Sequence, residues 1–131
     1  MRRVTRLLAA AAAAALGLAG PAWAHAILIG SQPKQASEVQ GPDVDVSLEF
    51  NSRIDGERSS LTLVRAAASE GELAPVGARS QPLALIQSGE PNRLDAKASG
   101  LEPGTYRLRW QVLSVDGHVS RGDVTFKVRA P

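Results

Sequence analysis

The sequence predicts an all-β domain, an antiparallel sandwich or barrel of about seven strands. Three observations lead there. In Val44-Asp45-Val46-Ser47-Leu48-Glu49-Phe50 every second residue is apolar, the period of a strand with one buried and one wet face. The same period recurs in Tyr106-Arg107-Leu108-Arg109-Trp110-Gln111-Val112 and at Val124, Phe126 and Val128. Turn residues punctuate the chain at close intervals, at Gly41-Pro42, Asp55-Gly56, Gly89-Glu90-Pro91, Pro103-Gly104 and Asp116-Gly117. No sustained helical period follows residue 24.

In chain order, the first element is a leader. Arg2, Arg3 and Arg6 form a basic start, Leu7 to Ala19 is an apolar run, and Ala22 and Ala24 are small residues at a cleavage position. That order reads as a secretory signal peptide over 1–24, because the apolar run falls short of the roughly 20 residues a membrane span needs. The expected exported domain is 25–131. Weaker strands are expected at Ala26–Ile29, Ser60–Val64, Leu83–Ile86 and Arg93–Ala96. Ala66 to Pro82, rich in Ala, Gly, Ser and Pro, reads as a loose connection. Leu101-Glu102-Pro103-Gly104-Thr105-Tyr106 has the form of the tyrosine corner of immunoglobulin-like sandwiches, where a Tyr bonds back to the backbone just upstream.

Composition narrows the function. The three leader arginines leave 12 of the 15 basic residues in 25–131, against all 13 acidic ones. The domain is therefore near neutral and slightly acidic, which gives a nucleic-acid partner no support. There is no cysteine, and the one methionine is Met1. Residues 25–131 contain no sulfur, so they offer neither a disulfide nor a soft metal ligand.

Two histidines remain. His25 would be the first residue after cleavage, and His118 lies in Ser114-Val115-Asp116-Gly117-His118. A histidine at a free N-terminus chelates a metal through its amine and its Nδ1. If the first strand runs beside the last ones, His118 adds a third nitrogen. Asp116, two residues before His118, shares its face in an extended segment and adds a carboxylate. Imidazole suits Cu, Zn, Ni and Fe, and a tetragonal N/O site favours Cu(II). The plain alternatives are a coincidental histidine after the leader and an ordinary Asp-Gly turn. Trp110 and Tyr106 are expected in the core. Arg107 and Arg109, like Asp43, Asp45 and Glu49, are expected on solvated strand faces.

The sequence resembles the CopC family of periplasmic copper-resistance proteins. The resemblance rests on His25-Ala26-Ile27-Leu28-Ile29-Gly30-Ser31-Gln32-Pro33, on Leu48-Glu49-Phe50, on Pro103 to Trp110, on Ser114 to His118 and on Gly122 to Val128. It implies a Greek-key barrel, immunoglobulin-like or cupredoxin-like, with one Cu(II) per chain. The implied ligands are the His25 amine and imidazole, Asp116 and His118. It also implies a non-enzymatic carrier or buffer in the periplasm that serves copper resistance and homeostasis. Such a carrier hands copper to an inner-membrane transporter of the CopD type or to another envelope protein. Three positions depart from the pattern. Val119 stands where a Pro usually follows Asp-Gly-His. Ser52 stands where some members place an acid near Cu(II). The stretch Arg53 to Pro82 lacks the Met-rich Cu(I) loop of some members. Two other readings stay open at this level. One is a copper monooxygenase built on a histidine brace, which the scarcity of aromatic residues opposes. The other is a metal-free immunoglobulin-like module.

Overall fold

A computed structural model describes residues 25–65 and 80–131; the expected leader and the stretch 66–79 lie outside the described residues. Nine strands form, two more than the sequence predicts: β1 (Leu28–Gln32), β2 (Ser37–Gln40), β3 (Val44–Phe50), β4 (Ile54–Arg65), β5 (Ser80–Leu83), β6 (Leu85–Ile86), β7 (Arg93–Ala98), β8 (Gly104–Ser114) and β9 (Val119–Arg129). The extra strands are short edge pieces. β2 has no apolar alternation to announce it. The expected Leu83–Ile86 strand is split between β5 and β6, and β5 reaches back to Ser80, into a stretch expected to be loose.

The strands form two sheets packed face to face. One has the order β1-β3-β7-β6, the other β2-β9-β8-β4-β5. All pairings are antiparallel except β2 with β9. The chain changes sheets repeatedly, from β1 to β2, β2 to β3, β3 to β4, β5 to β6 and β7 to β8. This is the crossing pattern of a Greek-key, immunoglobulin-like sandwich.

The period-2 segments define the core. Val44, Val46, Leu48 and Phe50 of β3 are buried, and so are Tyr106, Leu108, Trp110 and Val112 of β8 and Val124, Phe126 and Val128 of β9. Their alternate neighbours Asp45, Glu49, Arg109 and Asp123 are exposed, as the solvated-face reading requires. Phe50 and Trp110 meet edge to face across the sandwich, ring centroids 5.2 Å apart. The indole lies over Gly122, its cross-strand partner, where an added Cβ would come within 2.7 Å of Trp110 Cε2. Only glycine leaves room there for the ring.

The corner forms as the sequence predicts. Tyr106 Oη donates to the Glu102 carbonyl at 2.6 Å. Burial pushes the phenol above its ordinary value, so it stays a donor at neutral pH. Arg65 closes the corner from outside, with Nη1 2.6 Å from Glu102 Oε2 and Nη2 donating to the Pro103 carbonyl at 3.0 Å. Tyr106→Phe removes one hydrogen bond and no packing, so it should lower unfolding free energy by about 1 kcal/mol. Urea denaturation measures this, and an unchanged midpoint would deny the corner its structural role.

Candidate metal centre

Three loops and the start of the described chain meet at one end of the sandwich. Ile54, which opens β4, pairs with Ser114, which closes β8. The β3–β4 loop and the β8–β9 turn therefore stand side by side. Phe50 N–H donates to the Asn92 carbonyl at 2.9 Å, and Asn92 Nδ2 donates back to the Phe50 carbonyl at 2.9 Å, which brings in the loop before β7.

His25 is placed by its followers. Ala26 is buried at 3% exposure and packs into the core. The Ile27 N–H donates to Asn51 Oδ1 at 2.8 Å, and the Asn51 N–H donates to the Ile27 carbonyl at 2.9 Å. Asn51 thus bonds both backbone groups of one residue, Ile27, and fixes the chain two residues after His25.

His118 is placed by a tight turn. The Ser114 N–H donates to the His118 carbonyl at 2.8 Å, and the Gly117 N–H donates to the Ser114 carbonyl at 2.9 Å. Gly117 has φ of 92°, a region side chains other than glycine's rarely enter. Asp116 Oδ1 accepts from the His118 N–H at 3.2 Å, and Asp116 Oδ2 lies 3.2 Å from His118 Nδ1. Asp116 and His118 are therefore side by side because the backbone turns. The expected extended segment is corrected on this point. Desolvation raises the Asp116 pKa, but the His118 N–H and imidazole, with Asp116's own N–H, outweigh it and hold the carboxyl below its ordinary value.

The two histidine rings touch, with centroids 5.1 Å apart and planes at 72°. They do not meet through neighbouring strands. β1 pairs with β3 in one sheet, while His118 precedes β9 in the other, so the contact spans the end of the sandwich. Among the described residues no three His, Cys, Asp or Glu side chains gather into one ion-sized cluster. The structure brings His118 to Asp116 and His118 to His25, as two contacts sharing one imidazole. In the full-length chain the His25 nitrogen belongs to the Ala24–His25 peptide bond. The donor types suit a tetragonal ion, and one donor pair has a suitable spacing. Adjacent donors about 2.0 Å from such an ion stand about 2.8 Å apart, a few tenths of an ångström from the observed Asp116–His118 separation.

Exposed apolar side chains lie close to these residues in sequence. Ile27, Ile29, Val115 and Val119, each within four residues of His25 or His118, are 45%, 59%, 71% and 44% exposed. Only Ile86 joins them as a large exposed hydrophobic among the described residues. An open groove of about 740 Å³ runs between the start of β4 and β6–β7, but none of its lining residues is His25, Asp116 or His118. Sequence reasoning missed Asn51. Its only signal was its place directly after a strand, which any turn-forming residue could share.

The family model of the CopC domain matches residues 28–129. The chain belongs to the CopC family. The match includes Asp116 and His118 and begins three residues after His25. Copper resistance protein C of Pseudomonas syringae pv. tomato is 32% identical over 118 residues, 89% of this chain and 90% of that protein. Protein YobA of Escherichia coli K12 is 27% identical over 107 residues, 82% of this chain and 81% of that protein. Among solved structures, CopC from Methylosinus trichosporium OB3b aligns at TM-score 0.63 and 26% identity, over 81% of this chain and 95% of that one. PcoC, a methionine-rich copper resistance protein from Escherichia coli, aligns at TM-score 0.64 and 26% identity, over 81% of this chain and all of that one. The CopC resemblance and the immunoglobulin-like fold expected from the sequence are thereby confirmed.

Proposed function

We propose that this CopC protein is exported by cleavage after Ala24 and then binds one Cu(II) through the His25 amine and imidazole, the His118 imidazole and the Asp116 carboxylate. The observation that carries the reading is the contact of His25 with His118, the latter already held by Asp116. Family membership supports a role in copper resistance, with the protein acting as a binding protein rather than an enzyme. Cleavage frees the amine, which then lies on the same residue as one of the two touching rings. The domain acts in the periplasm as a carrier or buffer.

The oxidation state follows from donor chemistry. Nitrogen and carboxylate oxygen suit Cu(II), whereas Cu(I) favours thiolate and thioether. The structural relative PcoC is described as methionine-rich, while this chain has a single methionine, Met1. A monooxygenase gains no support: Phe50, Tyr106, Trp110 and Phe126, the four aromatic rings after residue 24, are all buried. None is available to form a platform for a polysaccharide.

Proton competition tests the ligand set. An α-amine titrates near 7.7–8.0 and an imidazole near 6.5. Displacing protons from an amine and from imidazoles makes Cu(II) affinity fall steeply between pH 7 and 5. Asp116, held below the ordinary carboxylate value, stays ionised across that window and adds nothing to the fall. His118→Ala should cost roughly 100-fold or more in affinity and Asp116→Ala about tenfold, with the pH dependence kept in the second. Competitive Cu(II) titration at pH 5, 6 and 7 measures all three proteins. An affinity flat across that range, or unchanged in His118→Ala, would remove the assignment.

The exposed Ile27, Ile29, Val115 and Val119 support hand-off to an envelope partner, a CopD-type membrane transporter or a similar copper protein. A body docking on these side chains covers the copper site. Val115→Asp with Val119→Asp should leave Cu(II) affinity within about threefold, since neither side chain is a donor, and should slow copper transfer to the membrane fraction. Transfer at the wild-type rate would exclude this face as the contact.

A further inference from the structure

The outer face of the five-stranded sheet is basic. Arg107 and Arg109 of β8 and Arg121, Lys127 and Arg129 of β9 alternate with the core residues of their strands and point away from the core. Two of these five cations are compensated. Arg109 Nε lies 3.8 Å from Asp123 Oδ1, and Arg129 Nη1 lies 3.6 Å from Glu38 Oε1 of β2. Asp55, opposite Leu113, is taken up by Arg58 at 3.8 Å. Among the described residues, Arg107, Arg121 and Lys127 enter no ion pair. The face therefore carries three uncompensated positive charges, although residues 25–131 as a whole are slightly acidic. The outer face of the other sheet has the opposite sign, with Asp45, Glu49 and Asp95 against Arg93 and Lys97.

Charge divided in this way orients the domain toward an anionic surface. The character of the face selects the kind of surface. A protein partner usually meets an apolar or aromatic centre with a charged rim. Here the charges occupy the middle. Of the large hydrophobics exposed among the described residues, only Val119 belongs to this sheet, and it stands at the metal end. Arg109 and Arg121 line an open trough of about 470 Å³, together with Ser60 and Thr62 of β4. The one carboxylate in its lining, Asp123, is already paired with Arg109. Guanidinium and hydroxyl donors around a shallow trough suit phosphate oxygens. A layer of anionic lipid headgroups presents such oxygens and requires no apolar centre.

We propose that the outer face of the five-stranded sheet docks on the anionic headgroup layer of a membrane facing the periplasm. The choice of membrane rests on the periplasmic reading given above; the docking face does not rest on copper. β8 and β9 are joined by the turn that holds Asp116 and His118, and Leu113 pairs with Val119 beside it. A domain lying on these two strands therefore has His118 at the edge of its membrane contact, where a membrane-embedded acceptor would meet it.

The test is co-sedimentation of the copper-free protein with lipid vesicles, the full chain being expressed with its own leader and recovered from the periplasm. Vesicles of phosphatidylglycerol and phosphatidylcholine in equal parts are compared with phosphatidylcholine alone. Wild type should bind the anionic vesicles at about 10 mM salt, release them as salt rises to about 0.15 M, and ignore the neutral ones. The triple variant Arg107→Gln, Arg121→Gln, Lys127→Gln should partition onto anionic vesicles on the order of 100-fold more weakly, about fivefold per charge. Lys127→Gln alone changes one exposed side chain and should show that single fivefold loss if the triple variant misfolds. Lys97→Gln, on the opposite face, should bind as wild type does. No excess binding to the anionic vesicles, or binding unchanged in the Gln variants of this face, would overturn the docking face and leave its cations to an acidic protein. Recovery of the chain from the cytoplasm instead would overturn the periplasmic reading, and the choice of membrane with it, whatever the vesicles show.

Discussion

The proposed metal end depends on a pair of hydrogen bonds made by Asn51, one accepted by its side chain and one donated by its backbone, both with Ile27. Here Ala26 packs into the core and Ile27 is bonded on both its N–H and C=O sides, so the residue before them has little conformational freedom. That constraint brings His25 against His118, although the two adjoin strands of different sheets. Without it the site would lose the residue expected to bring two of its donors.

The second half of the site is built from backbone geometry rather than from packing. Ser114, Gly117 and His118 close a turn through main-chain hydrogen bonds, and Asp116 bonds both the main chain and the ring of His118. The carboxylate thus orients the imidazole. Beneath both halves lies a sandwich with no cysteine to cross-link it. Its rigidity comes from interdigitated strands and from the Phe50–Trp110 contact, which joins the sheet that leads to Asn51 with the sheet that leads to Ser114. Cross-sheet packing is what keeps the two halves of the site in register.

Much of this was legible in the residues. The alternation in β3, β8 and β9 identified the buried faces correctly, and Tyr106 announced its corner, because a strand buried on one face must alternate. Strands β2, β5 and β6 were illegible or blurred because edge segments bury little and so need no pattern. His25, Asp116 and His118 could be singled out by residue type and position. How they meet could not be read. Adjacency of the first and last strands was the expected route, whereas the structure uses a contact across the end of the sandwich. Asn51 was opaque for another reason: a side chain that bonds the backbone is recognised only once the loops are placed.

The account makes the function conditional on a covalent event. The proposed cleavage after Ala24 would turn a peptide nitrogen, a poor donor, into an amine able to close a chelate ring with the His25 imidazole. Cu(II) affinity of protein beginning at His25, compared with protein retaining Ala24 before it, measures this directly. The account predicts far tighter binding when His25 is first. Equal affinities would contradict it.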